Sequence, residues 1–283
     1  NYEKIIDDGS GGLIAVWQDY RNGNADIYGQ RVSAAGEKVW GNSGIAVCSA
    51  PAGQFAPEII ADGAGGAIIV WHDYRGSAGE DIFAQHVSGA GAAYWNENGI
   101  PVCDAPGTQW YPKIAGDGAG GAIIAWSDGR RGAGDNNIFG QRIDGFGKAL
   151  WEKNGVALCS AAQNQERPEI LAVSGGALVA WNDFRSGNVD VYAQKIGLDG
   201  TAQWPTDGVS VAAAPFAQEN PRLAPDGAGG AVIAWVDSRQ DENAIFVQKI
   251  DLNGKSVWQE NGRLLAKAAG KQANPEIIKL KTV

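Results

Sequence analysis

The chain has 283 residues, with 32 acidic against 23 basic, a net charge of −9 and a pI near 4.8. That balance argues against DNA or RNA as a partner, because nucleic acids are met by a basic footprint. There is no apolar run of about 18 residues, so nothing in the sequence reads as a membrane span. The sequence starts at Asn1 and holds no methionine, as expected of a processed or excised chain.

From the N-terminus, Glu3-Lys4-Ile5-Ile6 and the Gly-rich stretch to Gly12 read as a short strand and a hairpin turn. Trp17 then opens the motif W-x-D-x-R, which returns at Trp71, Trp126, Trp181 and Trp235, in steps of 54, 55, 55 and 54 residues. A second Trp follows each one, at Trp40, Trp95, Trp151, Trp204 and Trp258. A Gln recurs at Gln30, Gln85, Gln141, Gln194 and Gln248. A Q-x-x-P pair recurs at Gln54/Pro57, Gln109/Pro112, Gln165/Pro168, Gln218/Pro221 and Gln272/Pro275.

Residues 57–103 serve as the type repeat. Pro57 to Ile60 is a first strand with Pro at its start, and Asp62 to Gly66 is a hairpin turn. Ala67 to Trp71 is a continuous apolar run, the pattern of a strand buried on both faces. Asp81 to Val87 alternates apolar and polar. Ala92 to Trp95 is read as the fourth strand, and Asn98 to Cys103 as the lead into the next repeat. No stretch carries a helical apolar period.

Four-stranded repeats of this length predict propeller blades. The expected fold is all-β, a five-bladed β-propeller of four-stranded antiparallel blades. It forms a single domain over residues 1–283, with blades at roughly 1–56, 57–111, 112–167, 168–220 and 221–283. The sequence holds six copies of the first strand, from Glu3-Lys4-Ile5-Ile6 to Pro275-Glu276-Ile277-Ile278-Lys279-Leu280. The favoured role for the sixth is a clasp that replaces the N-terminal copy. The second choice is strand donation to another molecule, and the third fate is the start of a linker to a following domain.

The blade sentence P-x-I-x-x-D-G-x-G-G-A-I-I-x-W-x-D-x-R, followed by D-I-(Y/F)-x-Q, a Gly turn and Trp, resembles sialidase-like, Asp-box propellers. It looks closer still to uncharacterised propeller modules of bacterial secreted surface proteins. Asp199-Gly200 to Trp204 is the nearest match to an Asp-box, and its spacing departs from that pattern. The resemblance implies the fold and a secreted or cell-surface setting, and it carries no activity.

Two classes of candidate residue stand out. The pairs Asp19/Arg21, Asp73/Arg75, Asp128/Arg130, Asp183/Arg185 and Asp237/Arg239 recur at every blade. A catalytic acid and base have different tasks, so five-fold repetition favours a structural clamp, identical in each blade, over a sialidase-like grip. The crossovers vary instead. Phe55, Trp110, Tyr111, Arg167 and Phe216, with the neighbouring Gln54, Gln109, Gln165 and Gln218, are the expected ligand-binding set, since aromatic faces beside amides suit sugars. The same aromatics would also serve as filling between blades.

Cys48, Cys103 and Cys159 share one phase, held by Ala212 and Ala266 in the last two blades. They read as small buried positions, too far apart for disulfides. No metal site is expected, with His72 and His86 the only histidines. The loops Asn22 to Asp26 and Asp135 to Asn137 carry oxygen donors of the kind that hold Ca²⁺, but their spacing fits no EF-hand, and solvated turns are the plainer reading. No cofactor is implied.

The function expected from these residues is a non-catalytic extracellular binding or adhesion module. It would recognise carbohydrate, or another surface ligand such as a protein. The rivals are a structural subunit that self-assembles into homo-oligomers or filaments, and a degenerate glycoside hydrolase.

Overall fold

The computed structural model describes residues 3–76, 79–239, 243–268, 270 and 272–277. These residues form five antiparallel sheets of four strands, each in sequential order, and no helix occurs among them. Sheet 1 comprises β1 (Glu3–Asp7), β2 (Leu13–Asp19), β3 (Asp26–Val32) and β4 (Ile45–Cys48). Sheet 2 comprises β5 (Gln54–Ala61), β6 (Ala67–Asp73), β7 (Asp81–Val87) and β8 (Ile100–Cys103). Sheet 3 comprises β9 (Gln109–Gly116), β10 (Ala122–Asp128), β11 (Asn137–Ile143) and β12 (Val156–Cys159). Sheet 4 comprises β13 (Gln165–Val173), β14 (Gly176–Asp183), β15 (Asp190–Gly197) and β16 (Val209–Ala212). Sheet 5 comprises β17 (Gln218–Pro225), β18 (Ala231–Asp237), β19 (Ala244–Ile250) and β20 (Arg263–Ala266). The fold class is the five-bladed β-propeller.

The chain divides into two compact units. One is Asn1–Ile124 with Asp128–Arg130 and Gln141–Val156, and the other is Ala125–Ser127 with Arg131–Gly140 and Ala157–Val283. In the first, the apolar faces of sheets 1 and 2 form one core, in which Ile14, Val16, Ile27 and Trp40 meet Ile59, Ile69, Trp71 and Phe83. In the second, sheets 4 and 5 do the same through Leu178, Val191, Trp204 and Val211 against Ile233, Trp235 and Phe246. The continuous apolar runs β6, β10 and β14 are buried along almost their whole length, as strands covered on both faces must be.

Each recurrent polar residue has a structural task. The strand-three Gln holds the second Trp: Gln85 Oε1 accepts from Trp95 N at 3.2 Å while Gln85 Nε2 donates to Asn96 O at 2.8 Å. The same two bonds recur at Gln30, Gln141, Gln194 and Gln248. The second Trp then donates to a turn of the following sheet, Trp40 Nε1 to Gly89 O and Trp95 Nε1 to Gly145 O at 3.1 Å each. Asn98 and Asn154, at φ of 63° and 65°, accept from the backbone of the preceding crossover, at Ser49 N and Asp104 N. Next to Asn98, Gly99 has φ of 86°, and a Cβ there would stand 2.7 Å from the Trp71 ring, so only glycine fits.

The fourth strand is not where the sequence suggests. Residues 92–95 make only one isolated bridge, Val87 to Ala93, and the ladder stops there because the Gln85 side chain takes the Trp95 N–H. The outer strand is Ile100–Cys103, paired with Ile82 to Ala84 of β7. The sequence boundaries at 56/57, 111/112, 167/168 and 220/221 fall inside β5, β9, β13 and β17. Each of these strands starts at its crossover Gln, and in β5 the ladder bulges at the Pro, seen as the register shift between Phe55 and Glu58.

The favoured clasp is not formed. β1 itself pairs with β2, Lys4 facing Val16 and Ile6 facing Ile14, so the N-terminal copy keeps its place in sheet 1. Residues 272–277 lie in no strand, and 278–280 of the sixth copy lie outside the described residues. β20 also differs from its counterparts. Leu265 is 64% exposed, whereas Val47, Val102, Leu158 and Val211 at the same phase are all buried.

The first strands carry charges of alternating sign at one phase of the repeat. Along the chain this phase reads Lys4, Glu58, Lys113, Glu169, Arg222 and Glu276. In the first unit Glu58 Oε1 lies 3.0 Å from Lys4 Nζ and 2.8 Å from Lys113 Nζ. In the second, Arg222 lies 2.8 Å from Glu169 and 3.7 Å from Glu276.

Candidate functional site

The W-x-D-x-R segments share one bond set. Asp183, fully buried, accepts from Trp181 Nε1 at 2.8 Å, from Arg185 N at 3.0 Å, and from Arg185 Nε and Nη2 at 2.8 and 2.6 Å. Arg185 also donates to Asp207 O at 2.9 Å and lies 4.0 Å over the Tyr192 ring. Asp19/Arg21 and Asp73/Arg75 repeat this pattern, including the Trp donor, the distant carbonyl and the ring. Asp128/Arg130 repeats the ion pair and the bond to Asn154 O. Most donors of the guanidinium are thus used within the fold.

The Asp237/Arg239 segment carries the same bond set and differs from three of the others in one contact. Arg239 keeps the core of the pattern: its N and Nε donate to Asp237 Oδ1 at 3.0 and 2.8 Å, its Nη2 to Asn261 O at 2.8 Å, and it lies 4.2 Å over the Phe246 ring. Trp235 Nε1 donates to Asp237 Oδ2 at 2.8 Å, as in the other sheets. What Arg239 lacks is the thiol. Arg75, Arg130 and Arg185 each lie within 2.9–3.4 Å of the Sγ of Cys48, Cys103 or Cys159 on the preceding sheet. The counterpart before Arg239 is Ala212, whose methyl group accepts nothing. Arg239 is also the last described residue before 240–242, which lie outside the described residues. Arg21 departs in a second way: its side chain is 37% exposed, against 19–23% for the other four.

The crossover glutamines are fully buried and turn inward, contrary to the expected ligand-binding role. Gln54 Nε2 donates to Ala50 O and Ala52 O, Gln165 to Ala162 O and Gln163 O, and Gln218 to Pro215 O and Phe216 O, all within 3.0–3.3 Å. Gln109, with its amide oriented to donate, reaches Ala105 O and Glu80 O at 3.2 Å each. These amides shape their own loops and face away from solvent, so they offer nothing to a ligand.

The aromatic positions behave differently. The residue before each crossover Pro has positive φ: Ala56 at 48°, Tyr111 and Arg167 at 54°, Asn220 at 57°. Three of these N–H groups are met by the variable x of W-x-D. Gln18 Oε1 accepts from Ala56 N at 3.0 Å, Ser127 Oγ from Arg167 N at 3.0 Å, and Asn182 Oδ1 from Asn220 N at 2.9 Å. Phe216 stands earlier in its crossover, two residues before Gln218, and is 65% exposed. Arg167 is exposed and, like Phe216, belongs to the second unit, so neither joins the cluster below.

In the first unit Phe55, Trp110 and Tyr111 converge with four residues that the sequence reading missed as site residues. A cleft of about 400 Å³ is lined by His72, Tyr74, Glu80, Thr108, Trp110 and Tyr111. Phe55 meets His72 and Tyr74 edge-on, with centroids 5.9 and 5.3 Å apart, and Trp110 meets Tyr111 at 6.5 Å. Tyr74 donates its hydroxyl to Glu80 Oε1 in a short contact. His72 Nδ1 lies 3.3 Å from Glu80 Oε2 and is not aligned as a hydrogen bond.

Electrostatics organises this group. Burial raises the Glu80 carboxyl, but the contacts from His72 and Tyr74 outweigh it and hold the group below its ordinary range. Burial first, then the bond to Glu80 and its charge, pushes the Tyr74 hydroxyl up to about 12. Glu80 therefore works as a fixed acceptor, with Tyr74 as its protonated donor.

A signal for the missed residues was present in the repeat. The x of W-x-D reads Gln18, His72, Ser127, Asn182 and Val236, and the residue before the strand-three start reads Ala25, Glu80, Asn136, Val189 and Asn243. Only sheet 2 pairs an imidazole with a carboxylate at these two phases. Among the described residues no group of three or more His, Cys, Asp or Glu is placed to hold a metal ion, and the three cysteines are free and buried.

No protein-family profile matches this sequence, and no curated protein sequence does. Solved structures do match in fold. A protein of unknown function from Dyadobacter fermentans aligns over 95% of this chain and 84% of its own, at 9% identity and a TM-score of 0.57. The α-L-arabinanase of Penicillium chrysogenum, solved with arabinobiose, aligns over 88% and 80% at 13% identity and a TM-score of 0.54. A thermostable family-43 glycoside hydrolase aligns over 96% of both chains at 11% identity and a TM-score of 0.50. At these identities the likeness is one of fold, and the chain is similar to these proteins as a five-bladed β-propeller.

Proposed function

We propose that this chain is a non-catalytic carbohydrate-binding module that works outside the cell or at its surface, with the cleft around Trp110 as its sugar site. The observation that carries this reading is the convergence of non-repeated residues. Sheet 2 and its crossover place His72, Tyr74, Glu80, Trp110 and Tyr111 around one opening, while the repeated polar groups are spent on the fold. An indole and a phenol offer flat faces for the C–H side of a pyranose or furanose, and the Glu80 carboxylate accepts from ring hydroxyls. The fold likeness to an arabinanase solved with arabinobiose is consistent with a sugar ligand and sets the first probe. The secreted setting rests on the sequence resemblance to bacterial surface propellers.

The test is a glycan array followed by calorimetric titration with arabino-oligosaccharides and the array's best ligands. Trp110→Ala should weaken binding by about tenfold, the scale of one lost aromatic stack. The melting midpoint should change little, because Trp110 is only half-buried. No binding across the array, or hydrolysis of the oligosaccharide by the wild-type chain, would overturn the reading.

A further inference from the structure

A second cleft, of about 330 Å³, opens among the hairpin turns of the first unit, and its lining breaks the repeat in an informative way. The residue after the strand-three Gln is Arg31, His86, Arg142, Lys195 and Lys249 in the five sheets. Four are long cations, and sheet 2 alone carries a histidine. Arg31 shows what the long side chain does. Its Nε lies 3.0 Å from Asp8 Oδ2, Nη1 donates to Gly89 O at 3.0 Å, and Nη2 donates to Ser10 Oγ at 3.1 Å. The guanidinium lies over Gly65, where an added Cβ would stand 3.3 Å from Arg31 Nη2.

His86 takes over the near end of that pattern and leaves the far end open. Its Nε2 is 3.1 Å from Asp62 Oδ2 and its Nδ1 is 3.3 Å from Gly145 O, the counterparts of Asp8 and Gly89. The ring goes no further. A Cβ added to Gly120, the counterpart of Gly65, would meet nothing within 4 Å. The shorter side chain thus vacates the space that a guanidinium fills one sheet earlier. The walls change with it. Val39 and Ala90 hold the two phases that belong to the Arg31 site, whereas Tyr94 and Phe146 hold them in the His86 cleft. Tyr94 lies 4.6 Å from the His86 ring, yet it is 61% exposed, and Phe146 is 92% exposed.

We infer that this cleft binds a guanidinium group, the arginine side chain of a partner polypeptide. The missing cation, two aromatic faces, the Asp62 carboxylate and a chain of net charge −9 are mutually complementary to it. The protein already stacks its own guanidinium groups on Tyr28, Phe83 and Tyr192 at 4.0 Å. Here the ring would come from Phe146 or Tyr94 and the cation from outside. The site is independent of the sugar cleft, which is lined by different residues.

The test titrates the whole chain with a blocked glycine–arginine–glycine tripeptide, reading tryptophan fluorescence and calorimetry. The lysine tripeptide and free L-arginine run in parallel. Saturable binding of the arginine peptide, tighter than that of the lysine peptide, is expected. His86→Arg refills the cleft from within and restores the pair used in sheet 1, so it should keep the melting midpoint and lose at least about tenfold in affinity. Phe146→Ala removes an exposed ring and should lose about fivefold. Undiminished binding by both variants, equal binding of the lysine peptide, or no saturation with the arginine peptide overturns the proposal. Tighter binding of free arginine than of the peptide overturns the polypeptide source.

Discussion

Replacing Asp183 by Asn tests the clamp separately from the sugar site, because neither Asp183 nor Arg185 lines the Trp110 cleft. The carboxylate is fully buried and receives four donors, from the Trp181 indole and from three nitrogens of Arg185. An amide keeps one acceptor oxygen and turns an NH₂ toward donors, so at least one N–H and the guanidinium charge lose their partner. Removing one member of a buried pair costs about 3–5 kcal/mol. At about 2–4 °C per kcal/mol, the lower bound predicts a midpoint drop of roughly 6–12 °C. The Trp181 ring, also fully buried, should shift its fluorescence as its Nε1 loses the acceptor. Thermal melts by circular dichroism, with urea denaturation as the second probe, measure the effect. A loss below about 1 kcal/mol would mean the pair is no clamp. A folded variant that loses sugar binding would return Arg185 to a ligand-gripping role.

Two further outcomes follow from the same structure. Burial first, and then the Asp104 and Asp73 charges, push the Asp81 carboxyl up from 3.8 to about 6. The folded state therefore holds its proton more tightly than the unfolded chain, and stability present below pH 4 is lost as pH rises through 6. Asp81→Asn, which copies Asn137 of sheet 3, should raise stability at pH 8 by on the order of 1 kcal/mol after allowance for solvent screening, and change little at pH 4, in urea titrations. A larger gain at pH 4 than at pH 8 would reverse the sign of this reasoning. Cys103→Ala should cost less than about 1.5 kcal/mol, because Ala212 fills the same buried phase before Arg239 and that clamp keeps its other bonds; a loss near 3 kcal/mol would show that the Arg130 contact to Sγ at 3.4 Å matters.

The repeat makes the fold legible because every blade answers the same constraints. Trp71 with its Asp, Gln85 with Trp95 and the Gly-rich hairpins recur at fixed phases, so their chemistry is visible without coordinates. The fourth strand departs from the sequence expectation for a physical reason: Ala92 to Trp95 has strand composition, but a side-chain amide replaces the ladder at Trp95, and sequence patterns do not show that substitution. The crossover glutamines stand at the right phase for ligand contacts, yet an amide serves a tight loop as well as a sugar. The difference between Arg239 and Arg185 is hidden for a similar reason. The motif is the same in both, and what changes is a residue about 27 positions earlier that only the fold sets beside the guanidinium. His72 and Glu80 lie eight residues apart in the sequence, on either side of a loop, and only the strand pairing of β6 with β7 closes that loop and brings them within 3.3 Å.

The charged row on the first strands has a consequence for how such a chain can change length. Its signs alternate, and Glu58 is held from both sides by Lys4 and Lys113. Excising one repeat, residues 57–111, would carry Lys113 into register beside Lys4 and set two ammonium groups where an anion had joined them, a like-charge pairing that destabilises. Excising two consecutive repeats would restore the alternation, since Glu169 would then follow Lys4. The row therefore acts as a parity check on duplication and deletion. Internal blades gained or lost in pairs keep the alternation of sign, and a single internal blade gained or lost must bring a compensating change of sign.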